Sequence, residues 1–368
     1  MKYYFIYCSN TPRNYANSMI FFARRLSFVY PTLFIELTKP PDLFISTKHK
    51  FVKTLRFFYS NKGLHIKEFR TNIFNALLTI KFLVLKMLRY RIILLTNVPV
   101  KNDIYSFIPY DYLFFDCTDQ FTRNSFHANK QFIQTFDGIF VNSRTMHSVL
   151  SGFNNRIWTI SPGYLTSPRR NVHGTKIPNS ILYCGGISRR LDFDLLLRVA
   201  QECPSYELFF IGENYLTTHY PGNDHLTRWC LRQWKKLLQY PNVHYGGHVS
   251  HNEAMALMSS YRVGMLPYNK HYFMNVFSNP LKMYEYLLQG LPIVSTDLPI
   301  IREISRQYPI LISRNKKEFI RNLQAAMRRT RDVRINRKQL FQTASVKGKV
   351  SQVVKCVRLV EHDDPRSR

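Results

Sequence analysis

A chain of 368 residues with 45% apolar content is too long for one small module and too apolar for a disordered polypeptide. Its 52 Lys and Arg against 23 Asp and Glu leave a net charge of +29, which calls for a polyanionic partner, either nucleic acid or an anionic membrane surface. The six cysteines (8, 117, 184, 203, 230 and 356) show neither C-x-x-C nor zinc spacing, so buried free thiols of a reducing compartment are expected rather than disulfides or a metal centre.

The start, MKYYFIYCSN, runs into polar TPRN with no small-residue cleavage site, so no signal peptide is expected. Tyr3–Cys8 reads as a strand, followed by a helix around Ser18–Val29 and a strand at Thr32–Leu37. Residues 48–91 break the pattern. They hold eleven Lys or Arg and one acid, Glu68, interleaved with Phe51, Phe57, Phe58, Tyr59, Phe69, Phe74 and the run Leu83–Leu88. Cations mixed with aromatics and leucine predict an interfacial surface for anionic lipid, although single-stranded nucleic acid suits the same composition. The apolar run at 73–88 contains Lys81 and Lys86 and falls short of a bilayer span, so the chain is expected to be soluble or monotopic.

Strands then recur at Arg91–Thr96, Tyr112–Cys117, Gly138–Asn142 and Arg156–Ile160. Residues 166–178, rich in Pro, Ser and basic residues, read as a linker. Beyond it the alternation restarts with Ile181–Cys184, a helix at Asp192–Cys203, and strands at Tyr206–Ile211, Asn242–Tyr245, Val263–Pro267, Ile293–Ser295 and Ile310–Ile312. This predicts an α/β chain of two Rossmann-like, doubly wound parallel-sheet domains: residues 1–165, the linker 166–178, residues 179–345, and a basic C-terminal helix and tail at 346–368.

The stretch Ser278–Gly290, SNPLKMYEYLLQG, predicts a helix with Asn279 as N-cap, Pro280 in the first turn and Gly290 as its stop. Its apolar residues leave almost no solvent face, yet Lys282, Glu285 and Gln289 form a polar stripe. Lys282 stands in the first turn, where the helix dipole disfavours a cation. Two explanations remain open: a bound anion at the helix N-terminus, or a surface ion pair between Lys282 and Glu285.

The order of motifs resembles a known family. Phe115-Asp-Cys-Thr-Asp119, Phe136-Asp-Gly-Ile-Phe-Val-Asn-Ser143, Leu182-Tyr-Cys-Gly-Gly-Ile-Ser188, Phe210-Ile-Gly212, Asn242-Val-His-Tyr-Gly246, Val263-Gly-Met-Leu-Pro-Tyr268 and Asn279-Pro-Leu-Lys-Met-Tyr-Glu-Tyr286 follow in that sequence. They resemble the GT-B glycosyltransferases of the glycosyltransferase 4/group 1 type, bacterial enzymes of surface-polysaccharide assembly, over about residues 110–305. The resemblance implies a nucleotide-sugar donor site in which Glu285 holds the ribose. Lys282 and the backbone of Asn279–Leu281 would hold the pyrophosphate, with Gly185 and Gly186 close to the phosphates. Arg189 would assist, and the turn at His248 would lie against the base. The family's paired-glutamate motif has its first Glu eight residues before the second, where this chain has Phe277. Arg262 stands where an Asp commonly starts a strand.

Glycosyl transfer needs charge stabilisation for the leaving nucleoside diphosphate and, if it inverts, a base for the acceptor hydroxyl. Lys282, Arg189 and a helix N-terminus meet the first need, so no metal or other cofactor is expected. Asp119, in a loop after a strand, is the candidate base, and helix capping is its competing role. Asp116 lies within the strand and reads as structural. Asp192-Phe-Asp194 imitates a metal-binding DxD but stands where a helix begins, which favours capping. The expected partners are a nucleotide sugar, a saccharide (lipid-linked) acceptor and an anionic membrane surface through residues 48–91, with the protein peripheral on the cytoplasmic face. No nucleic acid is expected; the alternatives are a nucleic-acid-binding protein with Rossmann-like scaffolds and an inactive glycosyltransferase-like subunit.

Overall fold

Buried apolar runs bounded by turn residues become strands, and the segments between them cross over as helices. The computed structural model describes residues 2–9, 22–23, 25–27, 29–37, 52–59, 62–67, 71–97, 108–117, 130–163, 175–218, 224–329 and 333–364. The chain divides into two compact units, Met1–Tyr164 together with Gln342–Arg368, and Leu165–Phe341.

The first unit carries β1 (Lys2–Ser9), β2 (Thr32–Leu37), β3 (Val52–Tyr59), β4 (Lys62–Lys67), β5 (Tyr90–Thr96), β6 (Tyr112–Cys117), β7 (Gly138–Val141) and β8 (Ile157–Thr159) in one sheet of order β4-β3-β2-β1-β5-β6-β7-β8. From β2 to β8 neighbouring strands are parallel, but β3 and β4 add an antiparallel hairpin at the edge. The sheet is therefore mixed rather than wholly parallel, and part of the basic 48–91 segment is strand. Helices α1 (Thr71–Met87), α2 (Lys130–Gln134) and α3 (Arg144–Leu150) belong to this unit. Of the helix expected around Ser18–Val29, Phe22, Ala23, Arg25 and Leu26 are helical, while residues 18–21, 24 and 28 lie outside the described residues.

The second unit contains β9 (Ser180–Cys184), β10 (Glu207–Ile211), β11 (Val243–Tyr245), β12 (Val263–Leu266), β13 (Ile293–Thr296) and β14 (Ile310–Ser313). All are parallel, in the order β11-β10-β9-β12-β13-β14. Its helices are α4 (Phe193–Glu202), α5 (Tyr215–Thr218), α6 (His225–Leu237), α7 (His251–Met258), α8 (Phe273–Phe277), α9 (Leu281–Gln289), α10 (Pro299–Ile304) and α11 (Lys316–Met327). Asp192 caps α4, accepting from the Leu195 N–H at 2.9 Å. Arg262 reaches the other end of α11 and donates to the carbonyls of Met327 (3.2 Å) and Arg329 (2.9 Å), complementing a helix C-terminus.

Helix α12 (Arg337–Ala344) leads to α13 (Val346–Asp363), which returns to the first unit. Residues 346–368, read from sequence as a separate helix and tail, thus belong to that unit. Val346, Val350, Val353, Val357 and Val360 recur at helical spacing and join Tyr3, Phe5, Tyr7, Ile93, Leu95 and Phe114 in one core. Within it, buried Lys349 donates to both oxygens of buried Asp116 (2.9 and 2.7 Å), and Tyr7 donates to the same carboxylate at 2.8 Å. Asp116 is thus a structural carboxylate. All six cysteines are buried thiols.

Candidate functional site

The second sheet reverses direction at β9: the chain proceeds to β10 and β11 on one side, then crosses back to β12, β13 and β14 on the other. Ligands of open α/β sheets bind at the carboxyl edge beside such a reversal. The side chains of interest gather there.

Helix α9 enters this edge from Ser278-Asn279-Pro280. Pro280, not Asn279, is its N-cap, and no side chain caps the first turn. Asn279 turns its amide inward and donates to the Tyr284 hydroxyl at 3.0 Å. At the other end Gly290 takes the left-handed conformation (φ 79°) and its N–H closes onto Tyr286 and Leu287 carbonyls. Met283, Tyr286, Leu287 and Leu288 are fully buried, each contributing about 1.5–3 kcal/mol. The Tyr286 ring lies across β12, where a Cβ on Gly264 would come within 2.6 Å of it. Its hydroxyl accepts from the Cys184 N–H (2.7 Å) and donates to the Leu182 carbonyl (3.3 Å), pinning α9 to β9.

This anchoring carries Lys282 to the carboxyl end of β9. The ammonium donates to the Tyr183 hydroxyl at 3.0 Å, 4.5 Å from that ring's centre and 5.4 Å from the centre of the Tyr268 ring. Among the described residues it forms no ion pair with Glu285, so the surface-pair explanation fails. Burial is the largest influence on Lys282 and pulls its pKa down, but the Tyr183 and Tyr268 hydroxyls outweigh it and hold the charge. Tyr183 itself is pushed up to about 12 by burial and stays neutral.

Gly185 makes this position possible. Its φ is +148°, and a Cβ there would fall 2.2 Å from the Lys282 Nζ. A Cβ on Gly212 would fall 2.4 Å from the Gly185 carbonyl oxygen, and the Gly212 N–H donates to the Gly247 carbonyl at 2.7 Å. The ends of β9, β10 and β11 are thereby laced together beside Lys282. Gly186 serves packing instead: the Tyr215 ring occupies the space a Cβ would need. His248 is exposed on the loop after β11, one residue beyond Gly247.

Arg189 points elsewhere. Its guanidinium lies 3.4 Å from Asp224, the N-cap of α6. The guanidinium at the start of α9 belongs to Arg190, which donates to Ser278 Oγ, to Asn275 Oδ1 (2.8 Å), and lies 5.6 Å from the Tyr268 ring centre. Fully buried Asn275 returns the contact by donating to the Arg190 carbonyl at 2.8 Å. Adjacent arginines cannot be told apart by spacing, so Arg190 escaped the sequence reading.

Glu285, one turn further along α9, is nearly buried and lies 3.5 Å from His251 Nδ1. Burial raises its pKa, with His251 and Lys282 opposing more weakly. Leu281 is half-buried in the first turn, while Gln289, the third residue of the expected stripe, is wholly buried. Phe277 ends α8 with its ring 4.7 Å from that of Phe273, so this position has no carboxylate. Asp119 lies outside the described residues.

Two cations, an uncapped helix N-terminus and a glycine-lined backbone thus converge at the reversal point, an arrangement suited to a diphosphate. Solved structures with the same architecture include HepE of Anabaena in complex with UDP-glucose, at TM-score 0.64 and 11% identity over 96% of this chain and 99% of that one. The α,α-trehalose 6-phosphate synthase of Burkholderia multivorans matches at TM-score 0.63 and 9% identity, over 98% and 99% of the two chains. The fold is GT-B. Among curated proteins, a Bacillus subtilis (strain 168) protein named as a teichuronic acid biosynthesis glycosyltransferase, TuaH, is 24% identical over 238 residues, or 57% of this chain and 56% of TuaH. The match thus spans just over half the length of that relative. No protein-family model matches the chain.

Proposed function

We propose that this GT-B protein is a glycosyltransferase that moves a sugar from a nucleoside-diphosphate donor to a saccharide acceptor in cell-surface polysaccharide assembly. The observation that carries the reading is the Lys282 ammonium, held by Tyr183 beneath Gly185 in the uncapped first turn of α9, with Arg190 beside it. A cation is unfavourable there unless an anion joins it, and a leaving diphosphate supplies one. Glu285, half a site away and costly to ionise while desolvated, would accept the ribose hydroxyls. His248 and the turn at Gly247 suit contact with the base. The HepE complex with UDP-glucose makes UDP the first nucleotide to test.

For the acceptor side, Asp119 would take the hydroxyl proton if the reaction inverts. With Phe277 packed on Phe273, the donor sugar must be held by groups other than a carboxylate at that position. The acceptor is proposed to be lipid-linked and the protein to work on the cytoplasmic membrane surface, in keeping with the net charge of +29.

A thermal-shift panel of UDP-, GDP-, dTDP- and CMP-sugars tests the donor site, because a ligand of the folded state raises Tm. UDP and UDP-sugars should stabilise the wild type. A flat panel would overturn the donor reading. Asp119→Asn should retain the UDP shift and lose turnover; turnover near the wild-type rate would remove Asp119 from the mechanism.

A further inference from the structure

Helix α1 turns its apolar side outward. Ile80, Leu83, Val84 and Met87 are 58, 53, 48 and 82% exposed, and Leu88, just past the helix end, is 56% exposed. Their spacing of i, i+3, i+4, i+7 and i+8 places all five on one face, where an ordinary surface helix would carry charge. The inward face is correctly made: Phe82 is fully buried and meets the Tyr4 ring edge-on at 6.3 Å between centres. The outward stripe is therefore additional to the packing that holds α1 on the sheet.

Cations border the stripe. Lys81 lies with its ammonium 5.4 Å from the Tyr4 ring centre, and Lys86 is paired with Asp111. Arg89 is exposed and closes the helix in the left-handed conformation (φ 59°). Nearby, exposed Lys2 lies 5.7 Å from the Tyr90 ring centre. From Arg70 to Lys101 the sequence holds six Lys or Arg and no Asp or Glu. No helix among the described residues is long and apolar enough to cross a membrane. An apolar stripe framed by cations on a helix too short to span matches the headgroup region of an anionic bilayer, where apolar side chains enter the acyl boundary and cations stay with phosphates.

We propose that the stripe Ile80, Leu83, Val84, Met87 and Leu88 is the surface by which the protein seats on an anionic lipid bilayer. This rests on the membrane-surface reading above and assigns it to one helix face rather than to the whole 48–91 segment. The basic residues steer the approach, and the stripe supplies the part of the binding that salt does not screen.

The test is sedimentation of the full chain with sucrose-loaded phosphatidylcholine vesicles, with and without about one-third phosphatidylglycerol. The wild type should bind the anionic vesicles and keep measurable binding when salt is raised. The double variant Leu83→Glu, Met87→Glu should bind roughly tenfold or more weakly. Val29→Glu, at an apolar residue 60% exposed elsewhere in the same unit, serves as control and should bind as the wild type does. Absence of wild-type binding at low salt, or equal binding by the double variant, overturns the proposal. So does a wild-type dimer that the double variant splits without change in vesicle binding, since the stripe would then cover a second copy. Each variant is also scored for the UDP thermal shift. Loss of vesicle binding with that shift intact supports the seat, whereas a missing shift in the wild type bears on the donor reading alone.

Discussion

Lys282 is held at a helix end whose dipole repels it, by two tyrosine rings and a hydroxyl, and without a carboxylate partner among the described residues. Lys282→Met keeps the packing volume and removes the charge. UDP affinity should fall roughly tenfold to a hundredfold, as for loss of a hydrogen bond to a charged group, with Tm of the unliganded protein nearly unchanged. Calorimetric titration with UDP checks this; unchanged affinity would remove Lys282 from the site. Glu285 behaves oppositely. Its folded-state pKa is raised by burial, so the folded protein binds the proton more tightly than the unfolded chain. Stability from this group is therefore highest at low pH and falls as pH rises from the unfolded carboxylate value through the folded one. Glu285→Gln should raise Tm at neutral pH, with the difference vanishing in acid, while UDP binding weakens. A Tm gain independent of pH would show that desolvation of the carboxylate is not the cause. Lys282 and Glu285 were legible in the sequence because an unfavourable cation and a lone acid interrupt an otherwise apolar helix. The surface ion pair, equally permitted by their spacing, is ruled out only by the position of Tyr183 and Gly185. The choice between Arg189 and Arg190 depends on which way one residue turns after β9, and no local pattern encodes that.

At the scale of elements, the parallel strands were readable because buried β-strands are short apolar runs with turn residues behind them, as in Tyr112–Cys117 and Ser180–Cys184. The hairpin β3–β4 was not. Lys53 and Arg56 are three apart in one strand and Lys62 and Lys67 five apart in the other, so neither keeps its cations on one face at a period of two, and their charge pointed to a surface segment instead. The valine spacing in α13 announces an amphipathic helix but not its partner, which is a sheet more than 200 residues earlier in the chain. The Lys349–Asp116 pair makes that docking specific. Lys349→Met should cost about 3–5 kcal/mol because it leaves a buried carboxylate unpaired. The double variant Asp116→Asn, Lys349→Met should recover much of that loss. Urea unfolding of the three proteins decides the matter, and a fully additive double variant would deny the coupling.

For the whole molecule, charge and topology divide the labour. The all-parallel second sheet supplies the proposed donor edge from its own strands, and every candidate donor residue lies within 165–341. The first unit presents the outward stripe of α1 and is assembled from two separate segments, Met1–Tyr164 and Gln342–Arg368. That assembly has a consequence for biosynthesis. As the polypeptide leaves the ribosome, the second unit can be complete while the first still lacks the helix that covers Tyr3, Phe5, Tyr7 and Phe114. The unit begun first thus stays incomplete until residues 346–363 have been made, and its apolar surface is uncovered until then. A stop codon at 346 would leave the second unit whole and the first without its lid of valines.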